Sequence, residues 1–172
     1  MNETEGRKKE ILPPLFVKAG AALLDCQGFE YGLGLLLLHF SRLGIPGLDE
    51  TQLRAILDNR DKATAGQLVK QLRSRLMVDP DLEALLADAL AARNFIVHRF
   101  LVENVERVCE PKSRAAVVAE LEKLRATVRK ADARLRPTIL SLGKELDGFD
   151  GAAFEREALS SLFQNEIDRQ NA

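Results

Sequence analysis

The sequence predicts an all-α protein, a helical bundle with a long helix in its C-terminal third. Two observations carry this. Every persistent apolar pattern recurs at three- and four-residue intervals, the helical period, and no alternating β-branched run appears. The composition rests on Leu, Ala, Arg, Glu and Lys, with no Trp and a single Tyr, which suits helices. At 172 residues the chain is long enough to bury one substantial core.

The elements follow in chain order. Residues 1–10, "MNETEGRKKE", read as a polar tail of mixed charge, unlike a signal peptide. The first helix is expected to begin near Pro13–Pro14, because proline is tolerated in a first turn. It runs to the stop signal "GIPG" at 44–47. Its apolar residues cover more than one face, so burial on two sides is expected. A short helix follows from Asp49 to about Asp58, and "NRDKATAG" (59–66) reads as a loop. Thr64 and Gln67 make a capping box for the next helix. Asp79 caps the one after it, with Pro80 in its first position, and that helix should run to about Val108, before Pro111.

From Ser113 a long helix is expected. Val117, Leu121, Leu124, Val128, Ala131 and Leu135 form a heptad-like seam, too short for an independent coiled coil and better read as bundle core. Pro137 should kink or break it. "GFDG" at 148–151 is a turn, and a short acidic helix should follow from Ala152 to about Asp168. The organisation is thus a tail (1–10), a helical bundle (11–110) and a C-terminal helical extension (111–172) that packs on the bundle or mediates dimerisation.

Charge and cysteines narrow the classes. The net charge of −1 excludes a polycation built to grip duplex nucleic acid. Residues 106–136 carry nine basic against five acidic side chains, whereas 144–172 carry three against seven, so a local basic strip remains beside the plainer reading of solvated helix faces. Cys26 and Cys109 stand apart, and with two histidines they make no zinc pattern. No cofactor or metal motif is present, and reduced thiols are expected. The most apolar stretch, "YGLGLLLLHF", spans about ten residues where a membrane crossing needs about twenty. A cytoplasmic protein with no membrane partner is expected.

The chemistry concentrates in "RNFIVHRF", residues 93–100. With Arg93 as the zero of a helical wheel at about 100° per residue, Leu86, Leu90, Val97 and Leu101 fall on one side, and Leu82, Ala89, Ile96 and Phe100 on the other. Arg93 therefore points into an apolar arc and needs a counter-charge. Glu30 on the first helix is the expected partner, Asp25 the second choice. Asn94 and His98 share an edge one turn apart, and beyond them Ala91, Val102 and Phe95 form a second apolar strip. That strip calls for a second cover, such as another copy of the chain. Histidine can exchange a proton at neutral pH, arginine presents a fork that fits phosphate oxygens, and asparagine can orient either. These are parts for cleaving a phosphodiester without a metal. A satisfied polar edge on a structural helix is the plainer alternative. His39, at the end of an apolar run, reads as a helix-end or core residue.

The segment Arg93-Asn94-Phe95-Ile96-Val97-His98 resembles the signature of the HEPN superfamily, all-helical domains marked by Arg, often a polar residue, and a His after four to six intervening positions. "TAGQLVKQLR" followed by "LADALAARNFIVHRFL" also resembles bacterial HEPN-like proteins of unassigned function. The resemblance covers about residues 10–110. It implies an up-down bundle and a homodimeric, metal-independent endoribonuclease in which the RNA 2′-hydroxyl attacks the adjacent phosphate to leave a 2′,3′-cyclic phosphate. His98 would then be the acid/base group, Arg93 the phosphate or structural arginine, and Asn94 their orienting residue. RNA would lean on a patch such as Arg99, Arg73 and Arg75. Such domains often serve as toxins or in defence, with an antitoxin or other protein as partner. Others have lost catalysis and act as dimerisation or adaptor modules.

Overall fold

The computed structural model describes residues 3–58, 64–151, 153–154 and 156, with side chains from residue 15 onward. Six helices account for most of them: α1 (Glu3–Arg42), α2 (Glu50–Leu57), α3 (Ala65–Arg75), α4 (Pro80–His98), α5 (Phe100–Cys109) and α6 (Pro111–Asp147). No strand occurs among the described residues, so the all-α bundle read from periodicity is the observed architecture.

α1 is the central helix. Ala22, Cys26, Phe29, Leu33 and Leu37 follow one another at three- and four-residue steps and are almost wholly buried. Around them α1 meets α2, α3, α4 and α6, which is the burial on more than one side that its apolar pattern demanded. Its backbone is already helical at Glu3, so Pro13 and Pro14 lie inside it and do not open it. The ring's fixed φ is a helical φ, so what these prolines remove is donors from the ladder, and the coil continues past them. The stretch Leu15–Arg42 is also long and apolar enough to cross a membrane, with a mean hydropathy of 1.2. The ten-residue run understated it, because apolar positions recur well upstream. Half of that apolar window is buried inside the bundle, as in a core helix.

α6 lies alongside α1 and runs parallel to it. Lys18 pairs with Glu122 at 2.9 Å, Asp25 with Arg125 at 2.5 Å and Arg42 with Asp147 at 2.5 Å, the numbers rising together along both helices. Beneath these pairs Val117, Leu121, Val128, Ala131 and Leu135 are buried and Leu124 half-buried, so the seam is bundle core. Helical structure continues through Pro137, contrary to a break there. Proline costs α6 one N–H bond at an exposed position, and buried Leu135 and Gly143 on either side hold the two halves against α1. The helix ends at Gly148 with φ +67, a left-handed conformation that glycine adopts without strain.

The short-range signals hold. The Asp49 side chain accepts from Gln52 N, both halves of the Thr64–Gln67 capping box form, and the Asp79 side chain accepts from Leu82 N with Pro80 at the helix start. Residues 59–63 of the expected loop, and most of the expected helix from Ala152 to Asp168, lie outside the described residues.

One helix was expected from 80 to about 108, and there are two. Arg99, at φ −127° and ψ −31°, departs from helical geometry and separates α4 from α5. Backbone bonds still span the joint, from Arg99 N to Phe95 O and from Glu103 N to Arg99 O, both at 2.9 Å. It is therefore a kink in one helical path. α5 then buries Phe100, Asn104 and Val108, and Arg114 of α6 donates to the Val108 carbonyl at 3.0 Å.

Candidate functional site

α4 buries Leu86, Ala89, Ala92 and Ile96, a stripe at three- and four-residue steps that faces the core. Arg93 follows directly on Ala92 and so comes off the margin of that stripe, its side chain 14% exposed. Its Nε donates to the carboxylate of Glu30, which projects from α1 with 25% of its side chain exposed. The first-choice partner is the observed one. Asp25, the second choice, is taken by Arg125 of α6.

The other end of the guanidinium reaches the surface. Arg93 Nη1 donates to Asn94 Oδ1 at 2.9 Å and lies 3.2 Å from His98 Nε2. A guanidinium nitrogen only donates, so this contact is a hydrogen bond only with the lone pair on His98 Nε2 and the proton on Nδ1. Nη2 carries none of these bonds. Asn94 and His98 are both exposed. One arginine thus joins an anchored carboxylate behind it to an amide and an imidazole in front. Cys26, one turn before Glu30 on α1, is buried close by, and burial first of all pushes its thiol up to about 11, so it stays protonated. Cys109 is exposed, and both cysteines are free.

The apolar surround only partly follows the wheel. Ala89, Ile96 and Phe100 are buried and Leu82 half-buried, as expected of the core side. Toward the kink the opposite side opens: Val97 is exposed and Leu101 is 60% exposed, although the wheel set both beside buried Leu86. Burial instead steps on through the kink at four-residue intervals, from Ala92 and Ile96 to Phe100, Asn104 and Val108, so Val97 before Arg99 and Leu101 after it both face outward. In the second strip Ala91 is exposed, Val102 is 76% exposed, and Phe95 is half-buried. Phe95 sits edge-on to Phe100 at 6.0 Å between ring centroids.

Of the three basic residues expected to form a patch, only Arg99 is near. It lies 5.8 Å above the Phe95 ring and pairs with Glu103 at 2.5 Å. Arg73 instead donates to the Glu83 carbonyl at 3.1 Å, and Glu83 precedes Arg93 by ten residues, about 15 Å along α4. Arg75 packs its guanidinium against Gly47 in the α1–α2 connection. The three do not make one patch. A further link escaped the sequence reading: Arg107 bridges Asn104 at 2.5 Å and Glu120 of α6 at 2.9 Å, fixing α5. No local spacing announces such a bridge.

Compared with models of protein families, with curated proteins and with solved structures, the chain matches none.

Proposed function

We propose that the protein is a metal-independent endoribonuclease of HEPN type that works as a cytoplasmic homodimer, in the manner of a toxin or defence protein. The observation that supports this reading is the position of Arg93, which touches both Asn94 and His98 on an exposed edge while Glu30 holds it from behind. In this reaction Arg93 Nη1 turns from His98 Nε2 to the phosphate, and the lone pair so freed on Nε2 takes the proton from the ribose 2′-hydroxyl. The freed oxygen attacks the adjacent phosphorus, and the guanidinium of Arg93 stabilises the charge gathering on the phosphate oxygens. The 5′-oxygen leaves with a proton from the second copy's histidine, and a 2′,3′-cyclic phosphate remains. Leu101, Val102 and Val105, exposed on α5 just past the kink, supply apolar surface for that second copy. An antitoxin protein is the natural partner of such an activity.

A second reading has its own support. The Glu30–Arg93 pair ties α1 to α4, and the Asn94 and His98 contacts within α4 hold the same guanidinium in place, so the same residues would serve a non-catalytic dimerisation or adaptor module.

Expression of wild type and His98→Ala in a bacterial host, with growth and total RNA followed together, separates the two. Growth arrest with RNA cleavage, lost in a mutant that melts like wild type, is the ribonuclease outcome. Equal growth and intact RNA from both soluble proteins is the outcome for the adaptor.

A further inference from the structure

A second site lies where the C-terminal ends of α1 and α6 meet. His39, in the last turn of α1, is only 5% exposed, and its Nε2 lies 3.6 Å from where a Cβ would stand on Gly143. Its Nδ1 is buried with no hydrogen-bond partner among the described residues. Buried polar atoms in folded proteins are nearly always paired, so this orphan leaves the polar groups beside the adjoining cavities out of balance.

Two cavities adjoin this imidazole. One, of about 590 Å³, is apolar and walled by side chains that include Tyr31, Leu35, Ile139, Leu140, Phe149 and Phe154. The other, of about 330 Å³, is polar and walled in part by Arg42, Arg54, Asp58 and Asp147. Tyr31, Leu35, His39 and Asp147 border both, so they form one cleft with an apolar body and a charged end. The apolar chamber has the size at which small molecules are bound.

At the charged end both cations are arginines, whose planar forks match a carboxylate. Arg54 already holds Glu50, through Nε at 2.9 Å and Nη2 at 2.7 Å, so a ligand would use what remains of its fork. Asp147, with its carboxyl held below the usual range by Arg42, is the anion that this arginine already carries, and it shares the wall with Asp58. The Arg42–Asp147 bond runs through Nη1, and a guanidinium has five N–H donors, so a second carboxylate can be accommodated.

We infer that this cleft binds an amphiphilic carboxylate, its hydrocarbon body among Leu35, Ile139, Leu140 and the two phenylalanines and its carboxylate on Arg42 and Arg54 beside His39. The site is separate from the Arg93–His98 edge and does not depend on what that edge does.

The chain has a single tyrosine and no tryptophan, so Tyr31 emission reports directly from the cleft wall. The test titrates the full-length protein with decanoate and with decan-1-ol, following Tyr31 fluorescence and the heat of binding. The expected result is saturable decanoate binding that is at least about tenfold weaker for decan-1-ol, for Arg54→Ala and for Leu140→Asp. Arg54 borders only the polar chamber and Leu140, of the two, only the apolar one, so two variants with unchanged melting temperature localise the head and the body separately. Absence of saturable heat and emission change overturns the site. Equal affinity for the alcohol, or unaltered binding by both variants, overturns the assignment of the ligand.

Discussion

Glu30 and Arg93 lie 63 residues apart in the chain and share a part-buried hydrogen-bonded ion pair that joins α1 to α4. The pair also sets the aim of the site, because the same guanidinium that Glu30 grips carries the contacts to Asn94 and His98. Loss of the carboxylate therefore has two effects, one on stability and one on geometry.

Glu30→Ala leaves a largely covered guanidinium without its counter-charge. Both side chains keep some access to water, which moderates the penalty, and a loss of about 1–3 kcal/mol is expected. For a chain of this size that is a fall of roughly 2–4 °C per kcal/mol in a thermal melt. Glu30→Gln, which keeps a hydrogen-bond acceptor, should lose less. A melt unchanged in both variants would show that the pair does not brace the helices.

Stability should decline with acid through the range of His39. Burial, the larger cause, lowers the pKa of its imidazole below the ordinary 6.5, and Asp147 only partly offsets this. The unfolded chain then binds the proton more readily. The contribution to stability is fully present above 6.5 and is lost as pH falls from 6.5 through the lower folded value. Asp147, held low by Arg42, adds a loss in the same direction only further into acid. Melting temperatures taken across this range should therefore fall below pH 6.5, and His39→Gln should flatten the first part of that fall.

Pro137→Ala should stabilise the protein. The position is exposed on a helix that continues on both sides, so alanine restores an N–H bond and relieves the ring's clash with the preceding turn. A gain of about 1–3 kcal/mol is expected in chemical denaturation. A loss would mean that α6 depends on the proline's constraint.

The two thiols should react in sequence. Cys109 is exposed, whereas Cys26 is buried and its thiolate suppressed. Maleimide labelling of the native protein should modify Cys109 alone, with Cys26 reacting only after denaturant is added. Mass spectrometry of the intact chain reads this directly.

The helices and their starts were legible because their signals are local. A cap such as Asp79 or the Thr64–Gln67 box needs only neighbours three residues away, and each formed as read. Glu30 was legible for a different reason: an arginine aimed into an apolar arc must find a carboxylate, and few were available on the adjoining helix. Where the reading departed from the structure, long-range packing had decided the outcome. Pro13 and Pro14 were read as the start of a helix that in fact begins upstream of them, and the helix does not break at Pro137. The kink at Arg99 has no composition signal, with neither Gly nor Pro nearby, and Leu101 beyond it faces outward as Val97 does before it. Arg73 and Arg75 carry charge in the sequence, but their positions followed Glu83 and Gly47.

The parallel pairing of α1 with α6 also has a cost during biosynthesis. Arg42 must wait for Asp147, 105 residues later, and at the usual pace of translation that is roughly 5–20 s. Throughout that interval the face of α1 that carries Lys18, Asp25, Gly32 and His39 lacks the helix that covers it. A nascent chain in this state is an evident client for a chaperone. Any truncation before the end of α6 would leave the same face permanently open.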